Sequence, residues 1–256
     1  VEQFDISLEG RYQWDTIGQD IDYTNLHQRA TFRSFTPRVI ANFHASDDVN
    51  LYVSYSEGRR PGVFNGSLSA LSANALEQVL VQFPVPIAVP EEKLTNWEAG
   101  IKGRFFDDKL TILSAAYYGK WRGRQMQQNI PYTVGATTQT ITVRLPNGST
   151  NIWGLELQAT ARPTPELTID GTFNWAATDN LFTSCSECVA INGQINPVGS
   201  TLERYPQISG SVNVRYERNL TGDWDGFVNG QWLHTGKMYD TTANVAWTAP
   251  SNTFHT

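Results

Sequence analysis

LTNWEAGIKGRFFDDKLTILSAAYYGKW, residues 94–121, predicts two long strands folded on an Asp107-Asp108 turn. In the first strand Thr95, Trp97, Ala99, Ile101, Gly103 and Phe105 share one face. Asn96, Glu98, Gly100, Lys102 and Arg104 share the other, because successive strand side chains alternate. A soluble sandwich would bury the apolar row and wet the charged one, so a single hairpin decides nothing. Repetition of the pattern decides.

Downstream, residues 151–162 set Trp153, Leu155, Leu157, Ala159 and Ala161 against Gly154, Glu156, Gln158, Thr160 and Arg162. A rigid Pro163-Thr164-Pro165 turn leads to Leu167, Ile169, Phe173 and Trp175, opposed by Thr168, Asp170, Thr172 and Asn174. Residues 205–218 and 224–235 repeat the scheme around a turn at 219–223. Upstream, residues 1–14, 32–45 and 50–57 do the same, the last two joined at Ser46-Asp47-Asp48. Pro37 is the discordant residue, since proline removes a ladder donor.

Four long connections separate these hairpins: 15–30, 58–93, 122–150 and 180–204. Within 58–93, apolar residues at i, i+3 and i+4 (Leu68, Leu71, Ala75, Leu76, Val79, Leu80, Phe83) predict a short helix. GRRPGVFNG at its start and FPVPIAVPEEK at its end suggest a lid on two flexible joints, or a protective flap. Within 122–150 the sequence predicts a hairpin extension through 139–145, turning at Pro146-Asn147-Gly148.

Three regularities favour a membrane. Strands run to about 12 residues, longer than in globular sheets and enough to cross a bilayer at a tilt. Connections alternate strictly between short and long. Aromatics, plentiful at eight Trp, ten Tyr and twelve Phe, gather near strand ends (Trp14, Phe43, Trp97, Phe105, Trp121, Trp153, Trp175, Trp224, Trp232), as interfacial girdles require. No apolar run reaches the ~18 residues of a transmembrane helix, which does not bear on strands. Arg11, Arg38, Glu98, Lys102, Arg104, Glu156, Arg215 and Glu217 all fall on the polar face. Small barrels fill their interiors with packed side chains, so these charges imply a wide, wet lumen. The fold expected is therefore all-β: a transmembrane antiparallel up-and-down barrel, represented by about 9–10 strands of a larger one. A soluble β-sandwich binding module is the alternative.

Composition narrows the function. Lys and Arg number 19 against 25 Asp and Glu, a net charge of −6 without a basic run, which argues against nucleic acid as a partner. The histidines (His27, His44, His234, His255) are scattered, and no zincin, hydrolase or phosphate-loop motif occurs. No catalytic residue, metal site or cofactor is expected. Cys185 and Cys188 in TSCSECVAING leave three options open: a loop-stapling disulfide, free thiols, or metal or redox chemistry.

Three stretches together carry a resemblance: YVSYSEGRRPGVFNG (52–66), PEEKLTNWEAGIKGRFFDDKLTILSAAYYGKWRG (90–123) and NIWGLELQATARPTPELTIDGTFNWAATD (151–179). They resemble the barrel of TonB-dependent outer-membrane receptors, whose E-x-G-x-K falls on Glu98, Gly100 and Lys102 and whose G-x-E-x-E/Q falls on Gly154, Glu156 and Gln158. The resemblance covers most of residues 32–216. It implies that 1–256 is part of such a barrel, closed on about 22 strands in the complete receptor, with the plug, the energy-coupling box and the final strand absent.

The implied function is energy-coupled import of a bulky, scarce nutrient across the outer membrane of a Gram-negative bacterium. Ferric-siderophore complexes are the first substrate class, with cobalamin and glycans as others. The implied partners are membrane lipid, lipopolysaccharide and the TonB-ExbB-ExbD complex, reached through the plug. A passive porin-like channel is the alternative. Candidate ligand contacts lie at the start of the long 58–93 loop: Arg59 and Arg60, which could attract an anionic chelate or simply face solvent or lipopolysaccharide, then Phe64 and Asn65. Tyr117, Tyr118, Trp121 and Tyr132 either stack on ligand or serve girdle and loop packing.

Overall fold

The computed structural model describes residues 3–22, 25–183 and 185–256. Ten strands form one antiparallel sheet, each inner strand hydrogen-bonded to the strands before and after it in the sheet. In order they are β1 Phe4–Ile21, β2 Leu26–Ser46, β3 Val49–Arg60, β6 Glu92–Phe105, β7 Leu110–Val134, β8 Thr137–Thr164, β9 Leu167–Phe182, β10 Ile208–Thr221, β11 Trp224–Thr235 and β14 Ser251–His255. Two small ladders lie inside connections: β4 Val63–Phe64 with β5 Ala88–Val89, and β12 Met238–Tyr239 with β13 Trp247–Thr248. Consecutive strands pair without crossovers, so the sheet is an up-and-down barrel wall, open at β1 and β14.

Register places the alternation on two faces. Tyr52 aligns with Gly100, Gly100 with Ala115, Ala115 with Glu156 and Glu156 with Asn174. Around that row a trough of about 600 Å³ is lined by Tyr52, Glu98, Lys102, Glu156, Gln158 and Asn174. The Tyr52 hydroxyl donates to Glu98 Oε1 at 2.6 Å, and Lys102 Nζ stands 5.3 Å from the Tyr52 ring centre. This is the wet face the charges required.

The opposite face is apolar and uncovered. Leu155, Leu157, Trp175, Val212 and Val214 stay exposed there, Trp175 and Val214 at 40% each. Among the described residues no second sheet packs on them, which removes the sandwich alternative: its apolar row would be buried. One rim carries the aromatic row Tyr55–Trp97–Tyr118–Trp153, aligned by register. Ring centres lie 5.6 Å apart for Tyr55–Trp97 and 5.9 Å for Trp97–Tyr118. Phe105 marks the other rim on β6. Between Trp97 and Phe105 the strand climbs roughly 20 Å at ~3.3 Å per residue and ~40° tilt, near the ~25 Å apolar band of an outer-membrane barrel.

Short turns fall at the Phe105 rim, as expected. Phe106, Asp107 and Asp108 all adopt left-handed backbone (φ 57°, 54°, 62°) to turn β6 into β7, a region that asparagine and aspartate tolerate better than other non-glycine residues. Pro37 is harmless. It lies one residue beyond the β2–β3 ladder, which begins at Arg38–Ser56, so its missing N–H costs no bond on that side.

The long connections differ from expectation. Residues 15–21 and 26–30 continue β1 and β2, paired out to Ile21–Leu26. Likewise β7 and β8 continue as a tall hairpin that closes at Gly135 (φ +61°), not at Pro146-Asn147-Gly148. That Pro-Asn-Gly segment lies at a register shift between the pairs Arg124–Gly148 and Met126–Leu145. Its turn chemistry forms a bulge rather than a reversal.

The 61–91 connection is folded, not loose. A 3-10 turn (Gly66–Ala70) and helix α1 (Ala73–Gln82) lie against the β7–β8 hairpin. Leu68, Val79, Phe83 and Val85 from the loop pack with Ile130, Ile141, Val143 and Leu145 from the hairpin, which makes the buried apolar cluster of the described residues. Amide side chains hold both hairpin edges. Asn65 Nδ2 donates to Arg144 O (2.8 Å) and Asn65 Oδ1 accepts from Arg144 N–H (2.7 Å) on the β8 edge. On the β7 edge Gln78 Nε2 donates to Thr133 O (3.1 Å) and Gln82 Nε2 to Pro131 O (2.8 Å).

Candidate ligand site at the outer mouth

Above the Trp97 girdle the two faces part into two clusters. On the outer face Glu57 accepts from Lys93 Nζ and from the Tyr55 hydroxyl. Arg59 Nη1 donates to Glu91 Oε1 at 2.7 Å, and its Nη2 lies 3.7 Å from Glu57. Burial would raise the Glu57 carboxyl, but the Lys93 and Tyr55 hydrogen bonds, with the Lys93 and Arg59 charges, outweigh it. Its pKa therefore sits below the usual carboxylate value. Lys120 Nζ rides 5.3 Å from the Trp97 ring centre and 5.7 Å from that of Tyr118, joining the charged belt to the girdle.

On the inner face, where Trp121 follows Tyr117 by the strand period, a cavity of about 420 Å³ opens at the mouth. Gly123 (φ +65°) kinks β7 just above Trp121 and turns Arg124 and Gln125 into this cavity. Glu92 forms one wall. It is buried, accepting from Arg60 Nη1 at 3.0 Å and from the Gln125 backbone N–H at 2.9 Å. Gln125 Nε2 donates to Pro61 O (2.9 Å) and Pro90 O (3.2 Å), tying the wall to both ends of the 61–91 loop.

The opposite wall comes from the connection after β9. Cys185 and Cys188 are joined there as a disulfide between the N-cap and the first turn of helix α2 (Ser186–Asn192), and Cys185 Sγ accepts from Cys188 N at 3.1 Å. Thr183 Oγ1 donates to Met126 Sδ at 2.7 Å and so pins this connection to the hairpin. Glu203 completes the lining, with Thr242 Oγ1 donating to its Oε2 at 3.2 Å. Burial pulls the pKa of Arg124 below the ordinary guanidinium range, while the charges of Glu203 and Glu92 push it back up. The cavity thus offers one desolvated cation, several amides and an aromatic wall.

A barrel wall, an apolar belt and an outer mouth built by loops point to one class of protein. The family model described as TonB dependent receptor-like, beta-barrel, matches residues 1–255. The chain belongs to this family. Receptor barrels of this kind are multi-pass outer-membrane proteins of Gram-negative bacteria, and they are transporters rather than enzymes.

The fold agrees with solved receptors. The ferric yersiniabactin uptake receptor FyuA from Yersinia pestis aligns with a TM-score of 0.70 at 16% identity, over 99% of this chain and 35% of that one. BauA, the ferric preacinetobactin receptor from Acinetobacter baumannii, gives 0.68 at 14%, over 98% and 32%. The ferric citrate transporter FecA gives 0.65 at 18%, over 99% and 34%. This chain spans about a third of the length of these receptors. No curated protein matches it.

Within this receptor barrel the five residues singled out from sequence do not converge. Arg60 alone lines the mouth cavity, already paired with Glu92. Arg59 belongs to the outer-face ion cluster. Phe64 pairs with Ala88 in the small β4–β5 ladder, and Asn65 spends its amide on the loop's own scaffold. Tyr132 packs against the loop core and donates to Gln139 Oε1 at 2.8 Å. The aromatics also part: Tyr118 joins the girdle, Tyr117 faces the lumen with its hydroxyl 3.5 Å from that of Tyr205, and Trp121 lines the cavity. Arg124, Gln125, Glu92 and Glu203 escaped the sequence reading. The run Trp121-Arg122-Gly123-Arg124, an aromatic and two cations around a glycine, was the available signal.

Proposed function

We propose that this chain is a central part of the wall of an energy-coupled receptor that imports a bulky, scarce nutrient, in the first place a ferric-siderophore complex. The observation that carries the reading is the pairing of a polar, charged inner wall with a folded outer mouth. A simple pore needs the first and not the second. Names of the solved relatives, receptors for ferric yersiniabactin and ferric preacinetobactin among them, support the substrate class.

In this reading the outer mouth captures the complex. TonB-ExbB-ExbD, acting on a plug domain of the full receptor, opens a path. Hydrogen-bonding side chains such as Tyr52, Glu98, Gln158 and Asn174 replace the solute's water as it descends. The outer-face belt of Arg59, Lys93 and Lys120 stands at headgroup level, where lipopolysaccharide phosphates are found.

The test is uptake of radioactive iron by iron-starved cells with and without the full-length gene, in the presence and absence of a protonophore. Gene-dependent uptake that the protonophore abolishes is expected. Uptake that persists in the presence of the protonophore would instead identify a passive channel.

A further inference from the structure

Arg124 is set deep in the mouth cavity without a bonded counter-ion, Glu203 and Glu92 acting on it only through their charge. It is 8% exposed and forms no ion pair among the described residues. Its Nε is buried without any partner, and Nη2 meets only the sulfur of Met126, at 3.5 Å. The two acids of the cavity are engaged elsewhere, Glu92 by Arg60 and Gln125 N–H, Glu203 by Thr242. A buried guanidinium left in this state is costly, because desolvation is not repaid by a bonded anion.

The surroundings are shaped to hold it there. Gly148 faces Arg124 across the hairpin. A Cβ at Gly148 would lie 2.6 Å from Arg124 Cβ and 2.9 Å from its Nε, so glycine is what lets the arginine stem lie across the partner strand. The guanidinium carbon stands 5.6 Å from the Trp121 ring centre. Beside it, Gln125 Oε1 is a second buried atom without a partner, and it is an acceptor. The cavity of about 420 Å³ is therefore lined by a guanidinium held only by a weak bond to sulfur and by an acceptor without a partner.

From this geometry we infer that the Arg124–Trp121–Gln125 pocket is a subsite for a carboxylate arm that also carries a hydrogen-bond donor, an α-hydroxycarboxylate being the simplest such group. The carboxylate takes the guanidinium fork, which matches it in plane and in spacing. The hydroxyl donates to Gln125 Oε1, and Trp121 covers one side. The volume holds one arm of a chelate, not a bulky complex entire. Assignment of the arm to an imported chelate rests on the transport reading above; binding of the arm itself does not.

The experiment titrates the purified full-length receptor with L-malate and with its uncharged dimethyl ester, read by saturation-transfer NMR of the ligand. The parental receptor is expected to bind malate saturably, with a fragment-like Kd of about 1–10 mM, and to ignore the diester. R124Q should weaken malate at least tenfold, and R124K, a point charge without the fork, at least threefold. Equal binding of acid and ester, no saturable malate binding, or unchanged affinity in R124Q would overturn the subsite. If R124Q fails to assemble, R124K decides: parental affinity there overturns the proposal. A receptor that imports iron yet ignores malate loses only the subsite. One that binds malate but imports nothing loses only the transport reading.

Discussion

At the scale of the residue, the outer loop hangs on Asn65. Its amide spans Pro86 O, Arg144 O and Arg144 N at 2.8, 2.8 and 2.7 Å. Removing it orphans three backbone groups, each at about 1–3 kcal/mol when buried. Asn65→Ala should therefore speed limited proteolysis within residues 61–91 at least tenfold and leave the membrane ladder intact; an unchanged cleavage rate would refute this role. Glu57 gives a pH signature. Its folded pKa is depressed below the ordinary value of 4.5, so its cluster adds stability that is complete above that value and is lost as pH falls through the folded pKa. The melting-temperature gap between the parental receptor and Glu57→Gln should hold from pH 7 to about 5 and shrink below 4.5. A gap that widens on acidification would contradict the assignment. Neither role was legible beforehand. Asn65 and Arg144 are far apart in sequence, and an arginine looks the same in a chain whether it meets a carboxylate, as Arg59 and Arg60 do, or none, as Arg124 does.

At the scale of the element, period-two alternation was readable wherever one face meets lipid and the other water, as in 94–105 and 151–162. It faded in 15–30 because the face of that hairpin extension turned to the 61–91 loop is largely polar: Gln19 packs on Gly66, and Gln28 sits with Leu26 beside Leu68 and Leu76. In the tall β7–β8 hairpin the difficulty was different. Ile130, Ile141, Val143 and Leu145 are apolar because α1 covers them, and only the folded loop reveals their partner. The same docking redefines the 61–91 loop: closing it as a lid would mean pulling Val79 and Phe83 out of that cluster. Facing is the element-level test. Val212 aligns with Gly171 and Trp232 on the apolar face, and Asn213 with Asp170 and Gln231 on the polar one. Lipid-facing arginine costs about 2–4 kcal/mol near the midplane, so Val212→Arg should impair refolding into bilayers far more than Asn213→Arg. Equal losses would mean the faces are wrongly assigned.

At the scale of the molecule, the alternation of short and long connections orients the whole wall. Turns at Asp47, Asp107, Thr164 and Gly222 lie along one rim; the loop core, the mouth cavity and the disulfide lie beyond the other. Strand length, girdle and loop rhythm made this architecture readable from the sequence, since a bilayer imposes them on every hairpin alike. The mouth cavity was not readable, because four separate connections meet to form it. The central claim is a membrane wall with its ligand apparatus outside, and labelling of intact cells with an impermeant thiol reagent tests it most directly. Single cysteines are placed in the full-length receptor at Val81, 81% exposed on α1, and at Asp108 in the β6–β7 turn. Labelling at 81 on intact cells, and at 108 only after the outer membrane is opened, is the expected result. Labelling at 108 but not at 81 on intact cells would contradict it.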